Sequence, residues 1–385
     1  MTARLRMGMV GGGPGSLAGG LHRRAAALDG EIDLVAGAVG STPERALAAG
    51  RALGLPRVYE TWQQMLDAEL RLPADERIDF ITVCTPNHLH HPIAKAFVSA
   101  GVAVACDKPM TVSLAQAQDL AETVRRAGVP FLLTHNYSGY PMVRQARALV
   151  RGGTLGTITK VVVEYSQGWL SAPIERDGHA AARSRTDPAV SGPSGCLIDI
   201  GIHAQQLLHY VTGLEIVSVC ADLGRHHGRP LDDDASVLLR LSGEVRGLLF
   251  ASQIGTGEEN NLNLRVYGSE GSLAWRQMEP DDLWLRPRAA AMQVQRRGGE
   301  YLCAAARRAC RIPAGHPEGF LEGFANLYHD FVQVLRARRK GEAPDPLALD
   351  FPGVADGVRT LAFVEAALAS DAGAQKWQAL PGWTT

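Results

Sequence analysis

Through the first third of the chain, short apolar runs alternate with longer stretches in which apolar and polar positions follow a helical spacing. Residues 5–10, 32–39, 79–84, 102–106 and 131–134 read as strands, and 43–53, 92–100 and 113–127 as helices. Thr42 before Pro43 supplies a capping hydroxyl followed by proline at the first helical position. Gly101 and Gly128 follow the next two helical stretches, where a positive φ is often required. Strands and helices in strict alternation predict a parallel sheet with helices on its faces.

Beyond about residue 137 the pattern changes. Residues 159–167, 217–222, 235–241, 246–253 and 261–267 read as strands, several joined by turns such as Ser242-Gly243 and Gly268-Ser269. Strand runs of this kind predict a mainly antiparallel sheet. Helical spacing remains over 142–152, 201–212, 319–338 and 351–370, which makes the second part α+β. Residues 277–315, rich in Arg, Ala and Gly, read as an insertion or a long loop with short helices. The expected division is a first domain over 1–136 and a second over 137–385.

Composition narrows the partners. A chain of 385 residues is natural for two domains, and 46% apolar residues allow sizeable cores. With 39 basic and 40 acidic residues there is no general field to draw nucleic acid or an anionic membrane. The arginines at 286, 288, 296, 297, 307, 308 and 311 read as a solvated face. The six cysteines form no C-x-x-C pair and share no metal-ligand spacing with histidine, so no metal site is expected. Thiols in apolar runs suit a reducing cytoplasm, and neither a secretory pattern nor an apolar run of membrane-spanning length is present.

The segment from Gly8 to Gly19 carries the first chemistry. It follows the first strand and opens a helix, where glycines let the backbone approach a pyrophosphate and the helix N-terminus favours negative charge. Gly11 and Gly13 fit the first two positions of a dinucleotide-binding G-x-G-x-x-G, with Pro14 and Gly15 between them and Ser16 at the third. Gly19 is then the candidate for close helix packing. At the end of the second strand no Asp or Glu stands where the ribose 2′-hydroxyl is usually bound. Ser41, Thr42 and Arg45 suit a 2′-phosphate, while Glu44 offers a carboxylate one step away. The cofactor is expected to be NAD(P), with the balance tipped slightly to NADP.

Three further motifs complete a set: Thr85-Pro86-Asn87-His88 after the third predicted strand, Asp107-Lys108-Pro109 after the fourth, and Asp199-Ile200-Gly201-Ile202-His203. In this order, and with the opening glycines, the chain resembles the Gfo/Idh/MocA oxidoreductases, the glucose–fructose oxidoreductase and inositol dehydrogenase family. The resemblance covers nearly the whole chain. It implies an α/β fold: a Rossmann domain, then an α+β domain with an open, mainly antiparallel sheet that forms dimer or tetramer interfaces. It also implies a substrate held between the domains and a cis Lys108-Pro109 peptide. By motif match Lys108, Asp199 and His203 are the catalytic group, and Thr85, Pro86, Asn87, His88 and Asp107 line the cofactor. Two positions depart from the family pattern. Its usual Glu before the lysine is Asp107, and a carboxylate often found three residues after the histidine is Gln206.

Alcohol oxidation needs a hydride acceptor and a proton acceptor, and histidine titrates in the right range for the second. Asp199 and His203 are four residues apart, so in the first turn of a helix both would project to one side. His203 is then the acid/base, Asp199 orients it or binds a substrate hydroxyl, and Lys108 donates to the reacting oxygen. Asn136, Tyr137, Trp169 and Arg185 are candidate sugar contacts. The expected activity is an NAD(P)-dependent dehydrogenase or reductase of a sugar, glycoside or cyclitol. A redox-neutral glycoside hydrolase and a non-enzymatic dinucleotide-sensing regulator are the alternatives.

Overall fold

The structure, a computed structural model, describes residues 3–380 and contains two compact units. The first comprises the chain to Thr111, Ala115–Asn136 and Leu321–Gly357. Its six strands are β1 (Leu5–Gly11), β2 (Ile32–Ala38), β3 (Arg57–Val58), β4 (Phe80–Cys84), β5 (Ala103–Cys106) and β6 (Phe131–Leu133). They pair in parallel in the order β3-β2-β1-β4-β5-β6. The order reverses between β1 and β4, the switch point at which such sheets open a crevice for ligands. Met7, Met9, Phe80, Ile81, Val83 and Val104 are buried, as near-continuous apolar strands covered on both faces require.

The three helices expected from spacing are present as Pro43–Ala52, His90–Ser99 and Leu114–Ala127. A further one, Trp62–Arg71, has a polar sequence that hid it. Thr61 caps it by accepting from the Gln64 N–H at 3.2 Å. Its buried positions are Met65 and Glu69, and Glu69 accepts from Arg57, Tyr59 and the Ile78 N–H. A carboxylate satisfied this way occupies a core position that hydrophobic periodicity cannot register.

The middle segment of the first unit ends at Asn136, and residues 321–357 group with that unit rather than with the second. The helix Phe320–Lys340 carries Tyr328 and Phe331 onto Phe80, with ring centroids 6.4 and 5.5 Å away, and Leu133 N–H donates to the Pro352 carbonyl at 2.8 Å. Periodicity shows that a helix buries a face; it does not show which sheet receives it.

The second unit is built on a nine-stranded sheet. Its strands are β7 (Ile158–Ser166), β8 (Ile216–Gly224), β9 (Asp234–Leu241), β10 (Arg246–Ser252), β11 (Asn261–Gly268), β12 (Gly271–Arg276), β13 (Asp282–Pro287), β14 (Gln293–Arg296) and β15 (Gln378–Ala379). The order is β14-β13-β12-β11-β7-β10-β9-β8-β15, antiparallel throughout except for the parallel pair β7–β10. Helix Ile202–Thr212 lies on β7, β10 and β11 and packs against Pro141–Arg151.

Residues 277–315 are therefore not simply a loop. They add β13 and β14 and the helix Ala304–Ala309. β14 is an exposed edge strand and lacks the alternation that marks a half-buried one. Within the arginine cluster Arg297 departs from the solvated reading. It is 3% exposed and pairs with Asp281 at 2.9 Å and Glu318 at 2.8 Å. Among the described residues no helix is long and apolar enough to cross a membrane.

Candidate active site

In the first unit the chain leaves β1 through Gly11, Gly12 and Gly15, all with positive φ. Two other glycines are required by closeness. A Cβ on Gly13 would stand 2.3 Å from the Val39 carbonyl oxygen, and one on Gly19 would stand 2.2 Å from that of Gly12. Ser16 caps the helix Leu17–Ala27, its hydroxyl accepting from the Gly19 N–H at 3.1 Å. The result is a bare backbone cradle at a helix N-terminus, a form that fits a dinucleotide pyrophosphate. Gly19, not Ser16, makes the close helix–strand contact. After β2, Thr42 caps the next helix by accepting from the Arg45 N–H, and Arg45 Nη1 donates to the Ser41 hydroxyl at 3.4 Å.

After β4, Thr85 and Pro86 lead into the short turn Asn87–Leu89, which contains His88. The next residue, His90, is 1% exposed and lies between two carbonyl oxygens, Nδ1 2.6 Å from Pro109 and Nε2 2.8 Å from Thr85. It thus joins the turn after β4 to the bend after β5. Burial pulls its pKa below the ordinary histidine value, against the opposing pull of the two carbonyls and Asp107.

That bend holds Asp107 and Lys108, and the Lys108-Pro109 peptide is cis as the family resemblance implied. Asp107 Oδ1 accepts from the Lys108 N–H at 2.8 Å and the Thr134 hydroxyl at 3.3 Å. Its Oδ2 faces His22 Nε2 at 3.7 Å, and His22 Nδ1 meets the Tyr328 hydroxyl at 2.8 Å. Burial opposes ionisation of Asp107, but His22, Lys108 and His90 together hold it well below the usual carboxylate range. His135, fully buried, is drawn down to about 3 by burial and by the Lys108 charge. Asn136 ends this unit, 1% exposed, and its amide nitrogen meets no acceptor among the described residues.

In the second unit Asp199 and His203 do not share one α-helical turn. Asp199 lies in a π-helical turn, Leu197–Gly201, that runs into the helix carrying His203. The wider turn begins where both Asp232 carboxylate oxygens take backbone donors, the N–H of Gly195 at 2.9 Å and of Leu197 at 2.8 Å. Such turns recur at functional sites. Asp199 Oδ2 accepts from Arg185 Nε and from Gln253 Nε2, each at 2.8 Å. The Arg185 guanidinium lies over the Trp169 ring, 5.8 Å from its centroid.

His203 is 7% exposed and meets Tyr137 edge to face at 5.2 Å and Tyr165 at 6.2 Å. Tyr137, expected as a sugar contact, is 1% exposed, and burial pushes its hydroxyl pKa up to about 12. Gln206 is 2% exposed, and neither its amide nitrogen nor its oxygen has a partner among the described residues. The structure thus brings Asp199, Arg185 and Trp169 together, and His203 with Tyr137. It adds His22, inside the helix Leu17–Ala27, His90, at the start of its helix, and Gln167, Gln253 and Asn260, beside strand ends, none of which carries a local signal beyond being polar.

Comparison with known proteins agrees with this geometry. Residues 5–135 match a family described as an oxidoreductase family with an NAD-binding Rossmann fold, and residues 143–274 match the GFO/IDH/MocA C-terminal domain. The chain is 30% identical to an uncharacterised oxidoreductase, YfiI, of Bacillus subtilis, over 94% of this chain and 93% of that protein. It is 25% identical to levoglucosan dehydrogenase of Pseudarthrobacter phenanthrenivorans, over 89% and 88%. Among solved structures, an oxidoreductase from Sinorhizobium meliloti is 41% identical with a TM-score of 0.88, covering 98% of this chain and 99% of its own. An inositol dehydrogenase homologue from Azotobacter vinelandii, complexed with NAD+, is 33% identical with a TM-score of 0.93, covering 98% of each chain.

Proposed function

The chain belongs to the Gfo/Idh/MocA family of NAD(P)-dependent oxidoreductases acting on CH–OH groups, and on that footing we propose that its substrate is a sugar, glycoside or cyclitol. The observation that carries this reading is the charge-paired Asp199 beside Trp169 and Arg185, with His203 on the adjoining helix. A fixed carboxylate accepts from substrate hydroxyls, and an indole face packs on sugar C–H surface. Relatives named levoglucosan dehydrogenase and D-apiose dehydrogenase, and an inositol dehydrogenase homologue complexed with myo-inositol, support the same class.

The dinucleotide, when bound, takes or returns the hydride. Gly11, Gly13, Pro14, Gly15 and Ser16 hold its pyrophosphate, and Thr85, Pro86, Asn87, His88, Asp107 and Lys108 line the rest. His203 removes the proton of the reacting hydroxyl, Lys108 donates to that oxygen as negative charge develops, and Asp199 binds a neighbouring hydroxyl. Reduction runs the same proton transfers backward. Asn136 is a further substrate contact, its buried amide nitrogen suited to a hydroxyl acceptor.

Ser41 and Arg45 are assigned to the adenosine ribose, and Arg45 favours a 2′-phosphate and hence NADP. Inositol dehydrogenase homologues from Azotobacter vinelandii hold NAD+ or NADH, so the two cofactors must be compared directly. A homodimer or homotetramer is proposed through the open sheet face, where Leu238 is 51% exposed and Leu248 and Phe250 are half-buried.

The test is absorbance at 340 nm with NAD and NADP separately, a panel of sugars, glycosides and cyclitols, and Lys108→Ala alongside. Reduction of one cofactor by one polyol, lost in the variant, supports the reading. Glycoside cleavage without accumulation of reduced cofactor would move it to a redox-neutral hydrolase. Dinucleotide binding without any turnover would move it to a sensor.

A further inference from the structure

Five side chains, two of them packed on His203, form a hydrogen-bonded network whose direction is fixed at one end. Gln167 and Asn260 stand just past the paired ends of β7 and β11, where Ser166 lies opposite Asn261. The Trp169 indole N–H can only donate, and it donates to Gln167 Oε1 at 2.9 Å. The Gln167 amide nitrogen therefore faces the other way and donates to Asn260 Oδ1 at 2.7 Å. That leaves the Asn260 amide nitrogen to donate to the Tyr137 hydroxyl oxygen at 3.2 Å. The Tyr165 hydroxyl donates to Asn260 Oδ1 at 2.6 Å, so toward Tyr137, also at 2.6 Å, it can only accept. Tyr137, Tyr165 and Asn260 close a ring in which each proton has one acceptor.

We propose that Gln167 and Asn260 are positioning residues for His203, acting through the direction they impose on the Tyr165 and Tyr137 hydroxyls. The two phenol rings are held as walls against the imidazole, with centroids 6.2 and 5.2 Å from it and interplanar angles of 61° and 86°. Both phenol protons are committed inside the ring, so neither tyrosine competes with His203 as a proton donor. The indole that sets the direction is the same one that lies under Arg185, and the chain of donors runs from it to the two phenols packed against the imidazole. The proposal rests on the reading of His203 as the group that moves the proton. It adds Gln167 and Asn260, which act through the tyrosine hydroxyls.

The experiment uses Tyr165→Phe, which deletes one hydroxyl, and Asn260→Asp, which keeps shape but removes the donor to Tyr137. His203 is followed by NMR titration of histidine-labelled full-length protein, its signal assigned by its loss in His203→Gln. Turnover is measured on whichever polyol the wild type accepts. The expected result in both variants is a His203 midpoint displaced by about half a pH unit or more. A kcat lower by about tenfold accompanies it, with KM for the dinucleotide within about twofold. Folded variants with the wild-type His203 midpoint overturn the proposal, whatever their stability. If the wild type turns over no polyol but the midpoint still moves, the positioning role stands and the substrate reading fails instead.

Discussion

Arg185 and Gln253 donate to the same oxygen of Asp199, each at 2.8 Å. One donor is charged and one neutral, so the carboxylate is both paired and oriented. Its geometry is set before a substrate arrives, which suits a group that reads hydroxyl position rather than one that moves protons.

Removing the charged partner tests that division of labour. In Arg185→Ala the carboxylate keeps Gln253 but loses its counter-charge, and the cation over Trp169 goes with it. KM for the accepted polyol is expected to rise about tenfold, equal to about 1.4 kcal/mol, with a smaller change in kcat. Steady-state kinetics decide it, and an unchanged KM would show that Asp199 is not reading the substrate.

His203 carries the opposite expectation. His203→Ala should lower turnover by about 10²–10⁴-fold while the dinucleotide Kd changes little, as loss of an acid/base does. Fluorescence titration with the dinucleotide and turnover on one preparation separate the two quantities. Equal losses in both would count against the role.

The glycine cradle predicts a contrast between neighbours. Gly19→Ala puts a methyl group 2.2 Å from the Gly12 carbonyl oxygen, backbone against backbone, so the loop must move. Dinucleotide affinity is expected to fall about tenfold or more, with a stability loss of about 1–3 kcal/mol. At Gly20 the added carbon meets only the end of the Arg24 side chain at 3.4 Å. Gly20→Ala is therefore expected to keep wild-type affinity and gain up to about 1 kcal/mol from helix propensity. Calorimetric binding and thermal melts on the pair give the answer; like effects at both sites would remove the steric argument.

His135 sets an acid limit. Unfolded, it titrates near 6.5; folded, burial and the Lys108 charge draw it down to about 3. The folded state thus resists the proton that the unfolded state accepts, and its stability is complete above pH 6.5 and falls between 6.5 and 3. By pH 5 the loss is about 2 kcal/mol. His90, displaced in the same direction, adds to it. Urea unfolding at pH 7, 6 and 5 measures the slope, which His135→Gln should flatten.

The nucleotide motif and the proposed catalytic residues stood out in the sequence because backbone geometry and chemistry both demand particular residues: glycine where a Cβ would collide, a lysine before proline, a histidine four residues from a carboxylate. Five strands of the first sheet were legible because they are mostly apolar, whereas β3, only two residues long, left no pattern to read. What escaped were polar residues doing the work of apolar ones. Glu69 replaces a core side chain in the helix Trp62–Arg71 by accepting three donors. Arg297 is buried because Asp281 and Glu318 neutralise it, yet in sequence it is one arginine among many. The π-helical turn at Asp199 depends on donors to Asp232, more than thirty positions away, which no local spacing reveals. Asn260 and Gln167 become neighbours only through the pairing of β7 with β11.

The return of residues 321–357 to the first unit has a consequence for biosynthesis. Strands β1 to β6 leave the ribosome early, but Phe80 must wait for Tyr328 and Phe331, and Leu133 for Pro352. The dinucleotide-binding unit therefore begins before the second unit and is completed only after residues 137–320 have been synthesised. Until then its central strands present apolar surface with no partner yet made. A chain arranged this way places its greatest exposure to chaperones and to aggregation in the nascent state rather than in the finished protein.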